Sequence, residues 1–67
     1  MRMRMVRNLR RGDHVILGGP WGKGVLEVTS CDTSQVPGEY GVELRHMVDG
    51  PRPLRAVWPG DDLIELA

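Results

Sequence analysis

Apolar and polar residues alternate along several short stretches of this chain, and this period-two pattern predicts β-strands. The clearest stretch is YGVELRHMV, in which Tyr40 and Val42 begin one face and Glu43 and Arg45 the other. Four more stretches show apolar alternation or β-branched enrichment: DHVIL, VLEVTS, LRAVW and LIEL. Turn-forming segments separate them (GGPWGKG, DTSQVPGE, DGPRP and PGDD), and no segment has the apolar spacing of a helix longer than two turns.

The predicted fold is an all-β, five-stranded SH3-like barrel over residues 12–67, preceded by a basic N-terminal arm or extra strand over residues 1–11. Short strands spaced by about ten residues favour a small barrel or sandwich over a βαβ fold. The succession of short loop, longer loop, tight hairpin and one-turn link is that of an SH3-like barrel, and closure removes most free strand edges. The residues expected in the core are Val15, Leu17, Leu26, Val28, Val42, Leu44, Val57, Ile64 and Leu66. Val25 competes for the inward face of VLEVTS.

The length of the chain limits its stability. Sixty-seven residues form one domain near the lower size limit, in which roughly 60% of the unfolded surface is buried. The single cysteine, Cys31, excludes an internal disulfide, and together with His14 and His46 it lacks metal-ligand spacing. We therefore expect no cofactor, and we expect oligomerisation or a partner to supply part of the stability.

The composition favours a cytoplasmic protein. No apolar run approaches the roughly 18 residues that a membrane span needs, so no membrane partner is expected. The N-terminus carries charge without the apolar stretch of a signal peptide. A single cysteine fits a reducing compartment.

Charge is segregated along the chain although its formal net charge is zero. Residues 1–33 carry six basic and three acidic groups, residues 34–67 carry three basic and six acidic groups, and the halves are therefore +3 and −3. Such asymmetry is typical of an anion-binding arm, and it equally fits attraction between the halves or between copies.

The basic arm MRMRMVRNLRR has three interpretations. Arginine pairs bidentately with phosphate, so the arm would give salt-sensitive affinity for nucleic acid. It is otherwise a frayed terminus that keeps the chain in solution, or an amphipathic Met/Arg strand that adds to a sheet edge. The candidate nucleic-acid-binding residues are Arg2, Arg4, Arg7, Arg10, Arg11 and Lys23, with Trp21 stacking on a base.

Protein interaction is the alternative function. Its candidate residues are Met3 and Met5, through strand addition, and Trp21 and Trp58, because tryptophan is enriched at binding hot spots. The competing interpretation is that Trp21 covers the mouth of the barrel. Either function makes the protein a binding module whose partner is nucleic acid or a larger protein complex.

The sequence gives little support for catalysis or small-ligand chemistry. GGPWGKG lacks the spacing and the following helix of a phosphate-binding loop. The adjacent pair Asp61 and Asp62 more often caps a turn than binds a metal. Neither histidine has a partner that the sequence can place, and a lone cysteine is usually a packing residue. We expect no catalytic residues and no metal site.

Parts of the chain resemble two known families. GDHVILGGPWGKGVLEV is similar to the KOW segment of ribosomal and transcription-elongation proteins, which implies a partner such as RNA, ribosomal protein or RNA polymerase. GVLEV and VWPGDD are similar to short, largely uncharacterised SH3-like proteins of actinobacteria, although the Pro-Pro-Tyr and Arg-Trp signature of those proteins is absent.

A third resemblance covers more of the chain. GDHV, WGKG, GEYGVEL and VWPGDDLIEL look like the type II dihydrofolate reductases, SH3-like barrels that act as tetramers around one pore. Their pore signature is a Val-Gln-Ile-Tyr run followed by proline, and here Ala56 and Trp58 hold the glutamine and tyrosine positions before Pro59. The shared element of the three resemblances is the fold, which does not specify a function. A reductase-like enzyme is the least favoured of the three functions.

Overall fold

The computed structural model describes residues 1–19, 24–47 and 53–67. The candidate residues Trp21 and Lys23, and the turn around Asp49 and Gly50, lie outside these ranges.

The fold is all-β, as the sequence predicts, with six strands and one short 3₁₀ helix in the described residues. The strands are β1 (Arg2–Met5), β2 (His14–Ile16), β3 (Val25–Thr33), β4 (Glu39–His46), β5 (Pro53–Pro59) and β6 (Leu63–Leu66), and the 3₁₀ helix Val6–Asn8 follows β1. They form one antiparallel sheet in the order β1-β6-β2-β3-β4-β5. Strands β2 to β6 correspond to the five strands that the sequence predicts.

A single apolar core lies on the inner face of this sheet. Six of the nine residues predicted for the core are buried: Val15, Leu26, Val28, Val42, Leu44 and Ile64. Leu17 and Leu66 pack against the core from partly buried positions. Two buried residues, Val6 and Leu9, come from the segment predicted as an arm.

The N-terminal segment is therefore part of the folded domain and not an arm outside it. β1 pairs with β6 of the same chain over four residues. The Val6 N–H then donates to the carbonyl of Asp62 at 2.8 Å, and the Val6 side chain is fully buried. The Val6 side chain fills the core. The segment is therefore the extra strand that the Met/Arg alternation also allowed, and not a basic arm.

The prediction that Val57 is a core residue is wrong. Val57 is 53% exposed, and its neighbour Ala56 is 8% exposed. Directly paired residues share a face of the sheet, and Ala56 pairs with the buried Val42. Leu54 and Trp58 follow the same phase and pack against the core, so a small residue points inward between two large ones.

A β-bulge changes the alternation of β3. Val28 pairs with Leu44 and Ser30 pairs with Glu43, so Thr29 is an extra residue with no direct partner on β4. The bulge places Thr29 next to Ser30 on the outer face, and Cys31 then returns to the core side opposite Val42.

The sheet is open, and the predicted closed five-stranded barrel is not found. In the described residues β1 and β5 each pair on one side only, and they form the two edges. The 3₁₀ helix lies against the β5 end, where the Arg7 N–H donates to the Gly60 carbonyl at 3.1 Å. The chain protects both edges, since arginines alternate along β1 and prolines begin and end β5.

Candidate interface at the basic end of the sheet

The strand order brings the basic residues of the N-terminal segment to one end of the sheet. Arg2, at the start of β1, pairs with Leu66 at the end of β6, and Leu66 also pairs with Val15 near the start of β2. The turn that carries Arg10 and Arg11 leads directly into β2. We call these three arginines, Arg2, Arg10 and Arg11, the basic end; Arg10 and Arg11 line two different grooves, described below.

Asp13 holds this turn against β1. Its Oδ2 accepts a hydrogen bond from Nη1 of Arg4 at 2.7 Å and another from the Arg10 backbone N–H at 2.8 Å. Burial alone would raise the pKa of Asp13. The Arg10 and Arg4 hydrogen bonds and the charges of both arginines outweigh burial, so the pKa lies below its ordinary value of 3.8. Arg4 is thereby neutralised, which the sequence did not indicate.

Arg7 is also engaged within the chain. Its Nε donates to the Gly60 carbonyl at 3.3 Å, and its guanidinium forms an ion pair with the Asp61 carboxylate. Asp61 therefore has a structural partner in the turn between β5 and β6. Of the five arginines predicted to contact phosphate, two are held by aspartates.

The other three arginines are free of intramolecular ion pairs within the described residues. Arg2, Arg10 and Arg11 have exposed side chains, and the ion pairs of the described chain involve other cations. Arg10 interacts with the Asp13 charge without a direct ion pair, and the protein as a whole has zero formal net charge.

A groove of about 450 Å³ extends the basic end across the outer face. It is lined by Arg11, Gly12, Glu27, Val28, Thr29 and Arg45. The Arg45 Nε donates to the Glu27 carboxylate at 2.7 Å, so one of its two arginines is paired and Arg11 is not. The groove lies at the β-bulge, because the extra residue of the bulge, Thr29, is one of its lining residues. The sequence analysis missed Thr29 because a register shift has no signature in period-two alternation.

A second groove, of about 620 Å³, follows the free edge of β1. Its lining combines apolar Met3, Met5 and Leu63 with polar Arg4, Asn8 and Arg10. Met3 and Met5 are 44% and 38% exposed. The two methionines predicted for protein interaction therefore lie at the surface, on a strand with an unpaired edge.

Apolar side chains also cross the outer face of the sheet. Met3 pairs with Glu65, Glu65 with Ile16, and Ile16 with Val25. Met47 continues this row by donating its N–H to the Val25 carbonyl at 3.1 Å. Met5 and its partner Leu63 form a shorter parallel row. We call this surface the outer band; it consists of Met3, Met5, Ile16, Val25, Met47 and Leu63.

The remaining candidate residues do not assemble into a site. Trp58 is half-buried against the core and pairs with Tyr40, away from the outer band. The Cys31 thiol contacts the Val6 carbonyl at 3.5 Å, and burial together with the Asp32 charge raises its pKa. His14 is exposed, with Nε2 3.8 Å from the Glu27 carboxylate.

The described ranges contain no cluster of three His, Cys, Asp or Glu side chains suited to a metal ion. Over the same ranges no helix has the length and apolar character needed to cross a membrane. No family model, curated protein or solved structure matches the chain.

Proposed function

We propose that the protein is a small non-enzymatic binding module that contacts nucleic acid through its basic end. The observation that carries the proposal is the exposure of Arg2, Arg10 and Arg11, which form no ion pair within the described residues. Each guanidinium matches the geometry of a phosphate group and replaces condensed cations when it binds.

The fold supports this mechanism by fixing the cations in place. β1 is hydrogen-bonded to β6, and the turn before β2 is held by Asp13. The arginines of a frayed arm would lose much more conformational freedom on binding. Phosphate contacts of this kind set position and affinity without reading base identity. In the groove, the Arg11 guanidinium and the Thr29 hydroxyl could both donate hydrogen bonds to the oxygens of one phosphate group.

We propose in addition that the fold is related to SH3-like domains. The order of loop lengths in the sequence supports an SH3-like arrangement of β2 to β6, and the resemblance of GDHVILGGPWGKGVLEV to KOW segments is consistent with an RNA partner. Lys23 and Trp21, which lie outside the described residues, would add a fourth cation and a stacking surface.

The salt dependence of binding tests the proposal quantitatively. Three phosphate contacts predict a slope of log affinity against log salt of about −2 for a single strand or −3 for a duplex. All six predicted cations would give about −5 on a duplex. We expect the shallower slope in a fluorescence-anisotropy titration with a labelled oligonucleotide. Absent or salt-insensitive binding would remove the proposal.

Matched arginine variants locate the site. Arg10→Ala and Arg11→Ala should each reduce the magnitude of the salt slope by about 1. Arg7→Ala is the control, because it removes a partly exposed arginine that is already engaged with Gly60 and Asp61. An Arg7→Ala effect equal to that of Arg11→Ala would contradict the division into free and engaged arginines.

Protein docking is the second candidate function, favoured by the groove along β1. Its apolar floor and its two arginines suit an extended segment that carries apolar and acidic side chains and adds to the free edge. A partner that is retained after nuclease treatment and lost from Met5→Asp would favour this function over nucleic-acid contact.

A further inference from the structure

The hydrogen bonds of β1 determine which of its backbone groups remain for a ligand. The Val6 N–H donates to the Asp62 carbonyl, and this bond continues the register in which β1 pairs with β6. Bonded and non-bonded pairs alternate along an antiparallel ladder, so the backbone groups of Arg4 also face β6. The N–H and C=O groups of Met3 and Met5 therefore face the open edge, where no strand of the described ranges pairs with them.

These edge groups lie beside the groove of about 620 Å³ that follows β1. Its apolar lining is formed by the exposed side chains of Met3, Met5 and Leu63. Asn8 and Arg10 line the same groove and supply an amide and a guanidinium. Arg10 forms no ion pair with any other described residue. One groove thus combines an apolar surface, a cation and backbone donors and acceptors.

An unstacked nucleotide presents the groups that complement this combination. Its phosphate pairs with a guanidinium, and its aromatic ring packs favourably against a methionine thioether. The edge of its base carries hydrogen-bond donors and acceptors, which match a backbone N–H and C=O on one residue.

An acidic peptide strand would share the charge but would find a short edge. Only Met3 and Met5 of β1 direct backbone groups outward, and the chain turns into the 3₁₀ helix directly after Met5. Strands in globular proteins usually pair over more residues than this. The groove therefore favours a nucleotide over an added strand.

The spacing of the two methionines selects a single strand. Residues two apart in a β-strand are separated by about 6.6 Å, whereas successive bases of a duplex are stacked about 3.4 Å apart. Neighbouring bases can therefore lie on Met3 and Met5 only when they are unstacked, which a single strand permits.

We infer that the groove along β1 binds two consecutive unstacked nucleotides of a single strand, one base on Met3 and the next on Met5. Each base bonds through its edge to the outward N–H and C=O of its methionine. Arg10 holds a phosphate of this segment, and the strand continues past Arg11. The inference rests on the proposed function, because the basic end supplies the phosphate contacts, and it adds that the ligand is single-stranded.

Fluorescence anisotropy with three labelled DNA ligands tests the inference. They are a single strand without self-complementarity, the same strand annealed to its complement, and an abasic strand of equal length. The single strand should bind about tenfold more tightly than the abasic strand, roughly threefold for each base that contacts a thioether. The abasic strand retains the phosphates, so this ratio isolates the contribution of the bases.

Threonine variants locate the base contacts, because threonine removes the thioether and keeps strand propensity. Met3→Thr and Met5→Thr should each weaken single-strand binding about threefold and leave duplex and abasic binding unchanged. Met47→Thr is the matched control, since Met47 is 46% exposed, close to the 44% of Met3, but lies outside the groove. It should bind all three ligands like the wild type.

Amide chemical shifts test the backbone contacts separately. The Met3 and Met5 N–H signals should move when the single strand is added. The Arg4 N–H signal should move less, because this group faces β6. The abasic strand should produce smaller changes at both methionines.

Equal affinity for the single strand and the abasic strand, with Arg11→Ala still weakening both, would overturn the inference and leave the proposed function intact. Loss of binding to all three ligands would instead remove the proposed function, and the inference with it. An extended peptide of alternating leucine and glutamate is the competing ligand. If Met3→Thr weakens peptide binding and not single-strand binding, the groove is a protein-docking site and the inference is wrong.

Discussion

Asp13 is bonded to three other residues of the described chain. Its carboxylate binds Arg4 and the Arg10 N–H, and its carbonyl accepts a hydrogen bond from the Val28 N–H at 2.8 Å. The Asp13 side chain therefore connects β1 with the turn before β2, and the Asp13 backbone connects that turn with β3. The sequence showed Asp13 only as part of a Gly-Asp turn, because its partner Arg4 is nine residues away and meets it only through the pairing of β1 with β6.

The Asp13→Asn substitution should destabilise the protein by about 1–2 kcal/mol at pH 7, since it removes the charge from hydrogen bonds to Arg4 and Arg10. The pKa of Asp13 is lowered in the folded state. Its stabilising contribution is therefore complete above the ordinary value of 3.8 and is lost as pH falls through the lower folded value. Urea unfolding at pH 7 and below pH 3 measures the difference.

The exposed Asp32→Asn is the control for this experiment and should change little at either pH. A destabilisation by Asp13→Asn that is equally large in acid would show that the residue acts through its shape and not through its charge.

At the scale of elements, the 3₁₀ helix after β1 anchors the N-terminal segment. Val6 enters the core, and the backbone of Val6 and Arg7 bonds to the turn between β5 and β6. This anchoring separates the arginines of the segment into free and engaged groups. The function proposed for the basic end depends on that separation.

Val6→Ala should destabilise the protein by about 2 kcal/mol, because it removes two methylene equivalents from a fully buried site and leaves a cavity. Val57→Ala should cost under about 0.5 kcal/mol, because Val57 is exposed on the outer face of β5. Urea unfolding midpoints of the two variants measure both effects. The reverse ranking would mean that Val57 belongs to the core and Val6 to a frayed end.

The sequence predicted the existence and type of β2 to β6 because each has alternating or β-branched residues between clear turns. It did not predict the phase of β5, since LRAVW alternates acceptably either way. Which residues of β5 face the core is determined by the tertiary pairing of Ala56 with Val42. The pairing partner of β1 could not be predicted for the same reason, because a strand of alternating Met and Arg can pair with any sheet edge.

The candidate site was predictable to a similar extent. Arginine density indicated a basic surface, and the alternation of YGVELRHMV placed Glu43 and Arg45 on the face opposite Val42. The engaged state of Arg4 and Arg7 follows from partners nine and 54 positions away, in the turn before β2 and in the turn before β6. Local pattern contains no information about such pairs.

At the scale of the whole molecule, a core that contains eight buried residues of the described ranges supports two separate surfaces. The basic end lies where β1 and β2 begin, and the outer band crosses the sheet from β1 to β4. Both surfaces require that the first eleven residues be folded. If those residues frayed, Met3 and Met5 would leave the band and all five arginines would be equally free.

Amide hydrogen exchange at Val6 and Arg7 tests this requirement most directly. The Val6 N–H bonds to Asp62 and the Arg7 N–H to Gly60, so both amides should exchange at least about 100-fold more slowly than in an unfolded peptide. The Arg11 amide, in an exposed turn, is an internal reference for faster exchange. If Val6 and Arg7 exchange within about tenfold of the unfolded rate while Val28 and Leu44 stay protected, the N-terminal segment is a frayed arm and the account is contradicted.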